Sequence, residues 1–124
     1  MSALVLDTDV LIEYLRGRPR AVEYLHASDA DLHLSSLTVA ELFAGAREEE
    51  KDALRTMLRA FEVVAVDAAI AEAAGELRRR YGPSHGMGLP DAVIAATVGS
   101  VGGRLVTFNR KHFPMFEVVV PYER

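Results

Sequence analysis

Apolar residues in this chain fall into two alternating patterns, short continuous runs and helically spaced sets. Residues 3–7 read as a buried strand, the run Leu4-Val5-Leu6 closing on Asp7. Val10, Leu11, Tyr14 and Leu15 then share one helical face, which Gly17 and Pro19 stop. A short helix is predicted over 20–27 and a strand over 31–35. Val39, Leu42, Phe43 and Ala46 continue as a helix. Leu54, Met57, Leu58 and Phe61 have the i, i+3, i+4, i+7 spacing of an amphipathic one. A third strand is predicted over 62–66. Ile70, Ala73, Ala74, Leu77 and Tyr81 mark a helix that should end at Gly82-Pro83, and 82–88 reads as a breaker-rich loop. Residues 90–101 are apolar on nearly every face, which predicts a buried helix ended by Gly102-Gly103. Strands over 104–108 and 116–120 complete the series.

Strands that alternate with helices imply a parallel sheet covered on both faces, an α/β fold. With 124 residues the chain has the size of one domain, 1–124, with one hydrophobic core, and shows no internal repeat or linker. Half of it is apolar and 26% is charged, the composition of a soluble globular protein. The absence of cysteine excludes disulfides, iron–sulfur clusters and thiolate zinc sites. Asp7 and Asp9 interrupt the first apolar run too early for a signal peptide. No stretch reaches the roughly 18 apolar residues of a membrane span. The expected location is the cytoplasm.

A net charge of −4 argues against a nonspecific nucleic-acid binder. An enzyme acting on nucleic acid stays open, because metal-binding carboxylates lower the net charge while local basic patches meet the substrate. Three patches are candidates: Arg16, Arg18 and Arg20; Arg78-Arg79-Arg80; and Arg110-Lys111. The competing reading of each is a solvated run at a helix end, complementing the helix dipole.

The candidate chemistry lies in three acids, Asp7, Glu41 and Asp91. Each stands where an apolar run gives way to a helix or where a buried helix begins. Carboxylates gathered at the carboxyl ends of parallel strands repel one another unless a hard cation, usually Mg²⁺ or Mn²⁺, holds them. Asp7 also suits a helix N-cap, and Asp9 a cap or supporting group. Glu41 fits a capping box in Thr38-Val39-Ala40-Glu41, so alone it would be structural. Asp91 follows Pro90 and suits the helix dipole, but the rest of that helix is apolar and leaves the acid in need of a partner. Asn109, after the fourth strand, offers an amide oxygen to a metal or a water, or else caps a turn. His112 reads as an exposed loop histidine, His33 as a packed strand residue, and His85 as a loop residue within reach of substrate.

The segments Leu6-Asp7-Thr8-Asp9-Val10-Leu11-Ile12, Ser36-Leu37-Thr38-Val39-Ala40-Glu41-Leu42 and Leu89-Pro90-Asp91-Ala92-Val93-Ile94-Ala95-Ala96 resemble the PIN domain. More narrowly they resemble VapC-type ribonuclease toxins of toxin–antitoxin pairs, and the likeness runs from end to end. It implies a five-stranded parallel sheet flanked by helices, Mg²⁺- or Mn²⁺-dependent cleavage of RNA, a homodimer and a cognate antitoxin. By motif position Asp7, Glu41 and Asp91 match the family's metal-binding acids, and Asn109 takes a fourth position held there by Asp or Asn. The family often has Asp before the Phe at 113, where this chain has His112; that departure bears on a second metal ion more than on the first. The implied mechanism is in-line attack of a metal-activated water on phosphorus. An antitoxin arginine inserted among the carboxylates would block it.

Two other readings compete. Leu6-Asp7-Thr8-Asp9-Val10-Leu11 also resembles the motif of haloacid dehalogenase-type phosphohydrolases, with Asp7 as nucleophile and Asp9 as acid–base. Alternatively the chain is a PIN-like interaction module that does no chemistry.

Overall fold

The structure is a computed structural model and describes residues 3–124. The first two positions of the expected 1–124 domain lie outside the described residues. Five parallel strands form one sheet: β1 (Ala3–Leu6), β2 (Asp31–Ser35), β3 (Glu62–Val64), β4 (Arg104–Val106) and β5 (Val118–Val119). The helices between them are α1 (Thr8–Leu15), α2 (Pro19–Ala27), α3 (Ser36–Gly45), α4 (Lys51–Leu58), α5 (Ala68–His85) and α6 (Leu89–Val101). The strand order is β3-β2-β1-β4-β5, so the chain winds outward from β1 to β3, then crosses back to β4. Leu4, Val5 and Leu6 stand opposite Arg104, Leu105 and Val106. Gly103 leads into that pairing, and a Cβ there would sit 2.6 Å from the Ala3 carbonyl oxygen, so the close approach of backbones requires glycine.

The pleat sorts the core into two layers. Val5 and Leu105 face α5 and α6, packing with Ile70, Ala74, Ile94 and Phe113. Leu6 and Val106 face the other way, into Val10, Leu11, Leu25, Leu42 and Leu54 from α1 to α4. A strand buried on both faces reads as a continuous apolar run, as the central β1 does. All five strands fall where the sequence places them, and four are shorter: β1 ends at Leu6, β3 at Val64, β4 at Val106, and β5 keeps only Val118–Val119.

One boundary differs more. The helix expected to stop at Gly82-Pro83 continues to His85, carrying Pro83 inside it. Proline removes one backbone bond, but the last turn is closed beyond it. The Gly86 N–H donates to the Gly82 carbonyl (3.0 Å), and Gly86 takes the left-handed cap at φ 65°. Met87, in the segment read as loop, is 1% exposed and belongs to the α5–α6 core.

Candidate active site

The crossing back from β3 to β4 makes β1 and β4 the switch point of the sheet, where open α/β folds have their crevice. Asp7 sits there, directly after β1. Its N–H extends the sheet by donating to the Val106 carbonyl (2.9 Å). Its side chain caps α1: Oδ1 accepts from the Thr8 N–H at 2.8 Å, and Oδ2 accepts from the Thr107 hydroxyl at 2.7 Å. The residue is 6% exposed. Burial, the neighbouring Asp9 and, more weakly, Asp91 push its pKa up to about 7, against the pull of those two donors.

Asp9 lies two residues on, in the first turn of α1. Its Oδ2 accepts the Phe108 N–H (3.1 Å), while its Oδ1 is buried without a hydrogen-bond partner. Burial raises its pKa, opposed chiefly by the Phe108 amide and then by the Arg124 charge. Asp91 occupies the first turn of α6 behind Pro90, half-buried, and its charge reaches Asp7. His112, expected as an exposed loop residue, is instead half-buried in a 3₁₀ turn, Arg110–His112, with Nδ1 3.0 Å from Asp91 Oδ2.

Glu41 is not part of a capping box. The N-cap of α3 is Ser35, whose hydroxyl accepts the Leu37 N–H (3.1 Å), so Glu41 lies in the second turn. Its Oε1 accepts the Thr8 hydroxyl at 2.6 Å, and Thr8 Oγ1 is also 3.0 Å from the buried Thr38 Oγ1. The local Thr-x-x-Glu signal lost to the seryl cap at the strand end, and the glutamate became free to bridge two helices. Asn109 is exposed, and its N–H donates to Thr107 Oγ1 (3.0 Å).

The fold therefore brings Asp9 and Asp91 within electrostatic reach of Asp7. Thr8 ties Glu41 to the same corner, and the Thr107 hydroxyl ties Asn109. Thr8, Thr38 and Thr107 escaped the sequence reading because threonine beside a strand looks like ordinary β-propensity. Glu13 escaped it too: it is 9% exposed on α1, beside the Tyr122 hydroxyl (3.4 Å) and Arg124 (4.0 Å). Of the basic patches, Arg20 is committed to the C-terminal segment, donating to the Glu123 carbonyl (2.8 Å) and lying over Tyr122. Arg79 pairs with Glu76 at 3.5 Å. Arg16, Arg18 and Arg110 are exposed.

The donor set suits a hydrated hard cation. Among the described residues no three His, Asp or Glu side chains converge into a ready-made cage. Mg²⁺, however, usually keeps several waters and takes only one or two carboxylates. The buried Asp7 carboxylate and the orphaned Asp9 Oδ1 are both groups whose charge or lone pairs call for a cation.

Fold and site together define an α/β protein with an acidic crevice at the switch point of a parallel sheet. The PIN domain family model matches residues 4–117, and the chain belongs to the PIN-domain family. It is 40% identical over 121 residues to Ribonuclease VapC10 of Mycobacterium tuberculosis, covering 95% of this chain and 91% of that one. Ribonuclease VapC19 of the same species is 38% identical over 121 residues, with 94% and 97% covered. Among solved structures, a toxin–antitoxin complex from Klebsiella pneumoniae superposes with a TM-score of 0.86 at 32% identity, covering 98% of this chain and 99% of that one. FitAcB from Neisseria gonorrhoeae gives 0.78 at 28% identity, with 95% and 97% covered. Membership of this family sets the haloacid dehalogenase reading aside.

Proposed function

We propose that this chain is a divalent-metal-dependent endoribonuclease, the toxin of a type II toxin–antitoxin pair, working through Asp7, Glu41, Asp91 and Asn109. The ribonuclease relatives support the activity class. The observation that carries the metal dependence is Asp7, a buried carboxylate at the switch point, crowded by two further acids. When bound, Mg²⁺ or Mn²⁺ supplies charge neutralisation at the phosphodiester and lowers the pKa of a water. Asp7 and Asp91 hold the ion. Thr107 and the Thr8 amide keep Asp7 in one orientation, so little reorganisation is needed on binding. Glu41, steadied by Thr8, is free at Oε2 to bind metal or take a proton from the attacking water. Asn109 offers its exposed side-chain amide to a water or a phosphate oxygen.

The partner reading rests on a second surface. Ile12 and Leu15 are 37% and 44% exposed, and with Arg16, Leu42 and Leu54 they line an open groove that includes Glu41. An antitoxin segment lying in that groove with an apolar face reaches the acidic corner, where a basic side chain pairs with the carboxylates. A homodimer in the cytoplasm completes the proposal; among the described residues no helix is long and apolar enough to cross a membrane.

The test is cleavage of total cellular RNA by the chain purified alone, with Mn²⁺ or with EDTA, beside Asp7→Asn and Asp91→Asn. Discrete cleavage that disappears with either substitution or with EDTA is expected. Equal activity in all forms would refute the acidic mechanism. Folded, Mn²⁺-bound protein that cuts no RNA would favour the non-catalytic module.

A further inference from the structure

We infer that His112 is itself a metal ligand, joining its imidazole nitrogen to the Asp91 carboxylate and turning the crevice toward a transition-metal ion such as Mn²⁺ over Mg²⁺. This rests on the metal-dependent reading above and assigns a donor that the acids alone do not supply.

The geometry comes first. His112 Nδ1 and Asp91 Oδ2 are 3.0 Å apart, yet Nδ1 is buried and makes no hydrogen bond. A histidine held there merely by ion pairing would aim its N–H along the line to the oxygen. Two ligands of one cation behave differently, because their lone pairs converge on the ion and not on each other. An octahedral ion holds each donor at about 2.1 Å, and two donors at right angles are then about 3.0 Å apart. The observed separation equals that bite, and the missing hydrogen bond at this distance is what sets it apart from an ordinary imidazole–carboxylate contact.

Position supports this. His112 is fixed between Asn109, whose carbonyl accepts the His112 N–H (3.1 Å), and Phe113, which is 1% exposed and anchored in the core. The ring is therefore held at the crevice rim by backbone and core together. Of the four histidines, His112 alone touches an acid of the crevice; His33 lies by Glu62, and His26 by Tyr14. With Asp91 and His112 in direct contact with the ion, Asp7 reaches it through a water. Further waters and a substrate phosphate complete the remaining positions, so three side chains need not converge.

Ligand chemistry supplies the consequence. Carboxylate and water sites serve Mg²⁺ and Mn²⁺ alike, whereas imidazole is a softer donor that favours first-row transition metals. An imidazole at this position therefore favours Mn²⁺ over Mg²⁺.

The test is pulsed electron paramagnetic resonance of Mn²⁺ bound to the full chain, cleared of metal beforehand, with Mg²⁺ competition. Wild type should show nitrogen coupling from a coordinated imidazole, and His112→Gln should lose it while keeping its circular dichroism. His112→Asp should lower the Mn²⁺-over-Mg²⁺ preference by about tenfold or more, on the scale that changes around metal ligands commonly produce. Bound Mn²⁺ without nitrogen coupling in wild type overturns the assignment of His112 and leaves the acidic site standing. Coupling that persists in His112→Gln likewise overturns it. No Mn²⁺ binding at all overturns both readings.

Discussion

Asp7 and Thr107 stand 100 positions apart in the chain and are joined by a 2.7 Å hydrogen bond across the seam between β1 and β4. The hydroxyl donates to the one carboxylate oxygen that the helix cap leaves free. It also accepts the Asn109 N–H, so two residues of the crevice depend on it. Thr107→Val keeps the shape and removes the hydroxyl, leaving a buried acceptor and an amide donor unmatched. The expected cost is about 1–3 kcal/mol in urea unfolding, with cleavage reduced at least tenfold. Thr107→Ser should recover most of both; a silent Thr107→Val would show that the bond is incidental.

The buried Asp7 carboxyl gives the metal-free protein a characteristic pH response. Its pKa rises from an ordinary 3.8 to about 7 on folding, so between those values the native state binds a proton that the unfolded chain releases. Stability from this group is complete below about pH 4 and is lost as pH rises through 7. At about 1.4 kcal/mol per pKa unit, the loss amounts to a few kcal/mol. Asp7→Asn should flatten that limb and exceed wild type in stability at pH 8 in EDTA. Its amide can donate to Thr107 while its oxygen keeps the Thr8 N–H. Parallel stability curves for the two proteins would contradict this assignment.

Divalent ions should reverse the penalty. Mn²⁺ at one hundred times its Kd adds about 2.7 kcal/mol to a protein that binds it only when folded. Thermal unfolding with and without Mn²⁺ reads this directly. The increment should vanish in Asp7→Asn and in Asp91→Asn, and an increment retained in both would place the ion elsewhere.

Thr8→Val tests the Glu41 contribution. It removes the 2.6 Å bond to Glu41 and the 3.0 Å contact with the buried Thr38 hydroxyl, so unfolding should shift by about 1–3 kcal/mol. Cleavage should fall about tenfold, in kcat with little change in KM, if Glu41 must be oriented to act on water. A change confined to KM would instead make Glu41 a substrate contact.

Much of this protein can be read from its residues alone because its strands are buried on both faces. The run Ala3-Leu4-Val5-Leu6 is apolar without interruption, so the acid that closes it is conspicuous. Asp7 declared itself in that way, and Asp91 by opening a helix that is otherwise apolar. Hydroxyls did not: Thr8, Thr38 and Thr107 act through contacts 30 to 100 positions away, which no local pattern records. Local rules also misdirected where tertiary contacts outvoted them. The Thr38–Glu41 capping box yielded to the Ser35 cap, and the Pro83 stop signal yielded to a turn closed by Gly86.

The order of the strands has a temporal consequence. Asp7, Glu41 and Asp91 all precede β4, yet the partners that set the first acids in place, the Val106 carbonyl, the Thr107 hydroxyl and the Phe108 amide, come from β4 or just after it. A growing chain that has reached Gly103 already carries every acid of the crevice and still cannot assemble it. In a protein built this way the crevice is complete only when the last strands of the chain lie beside its first.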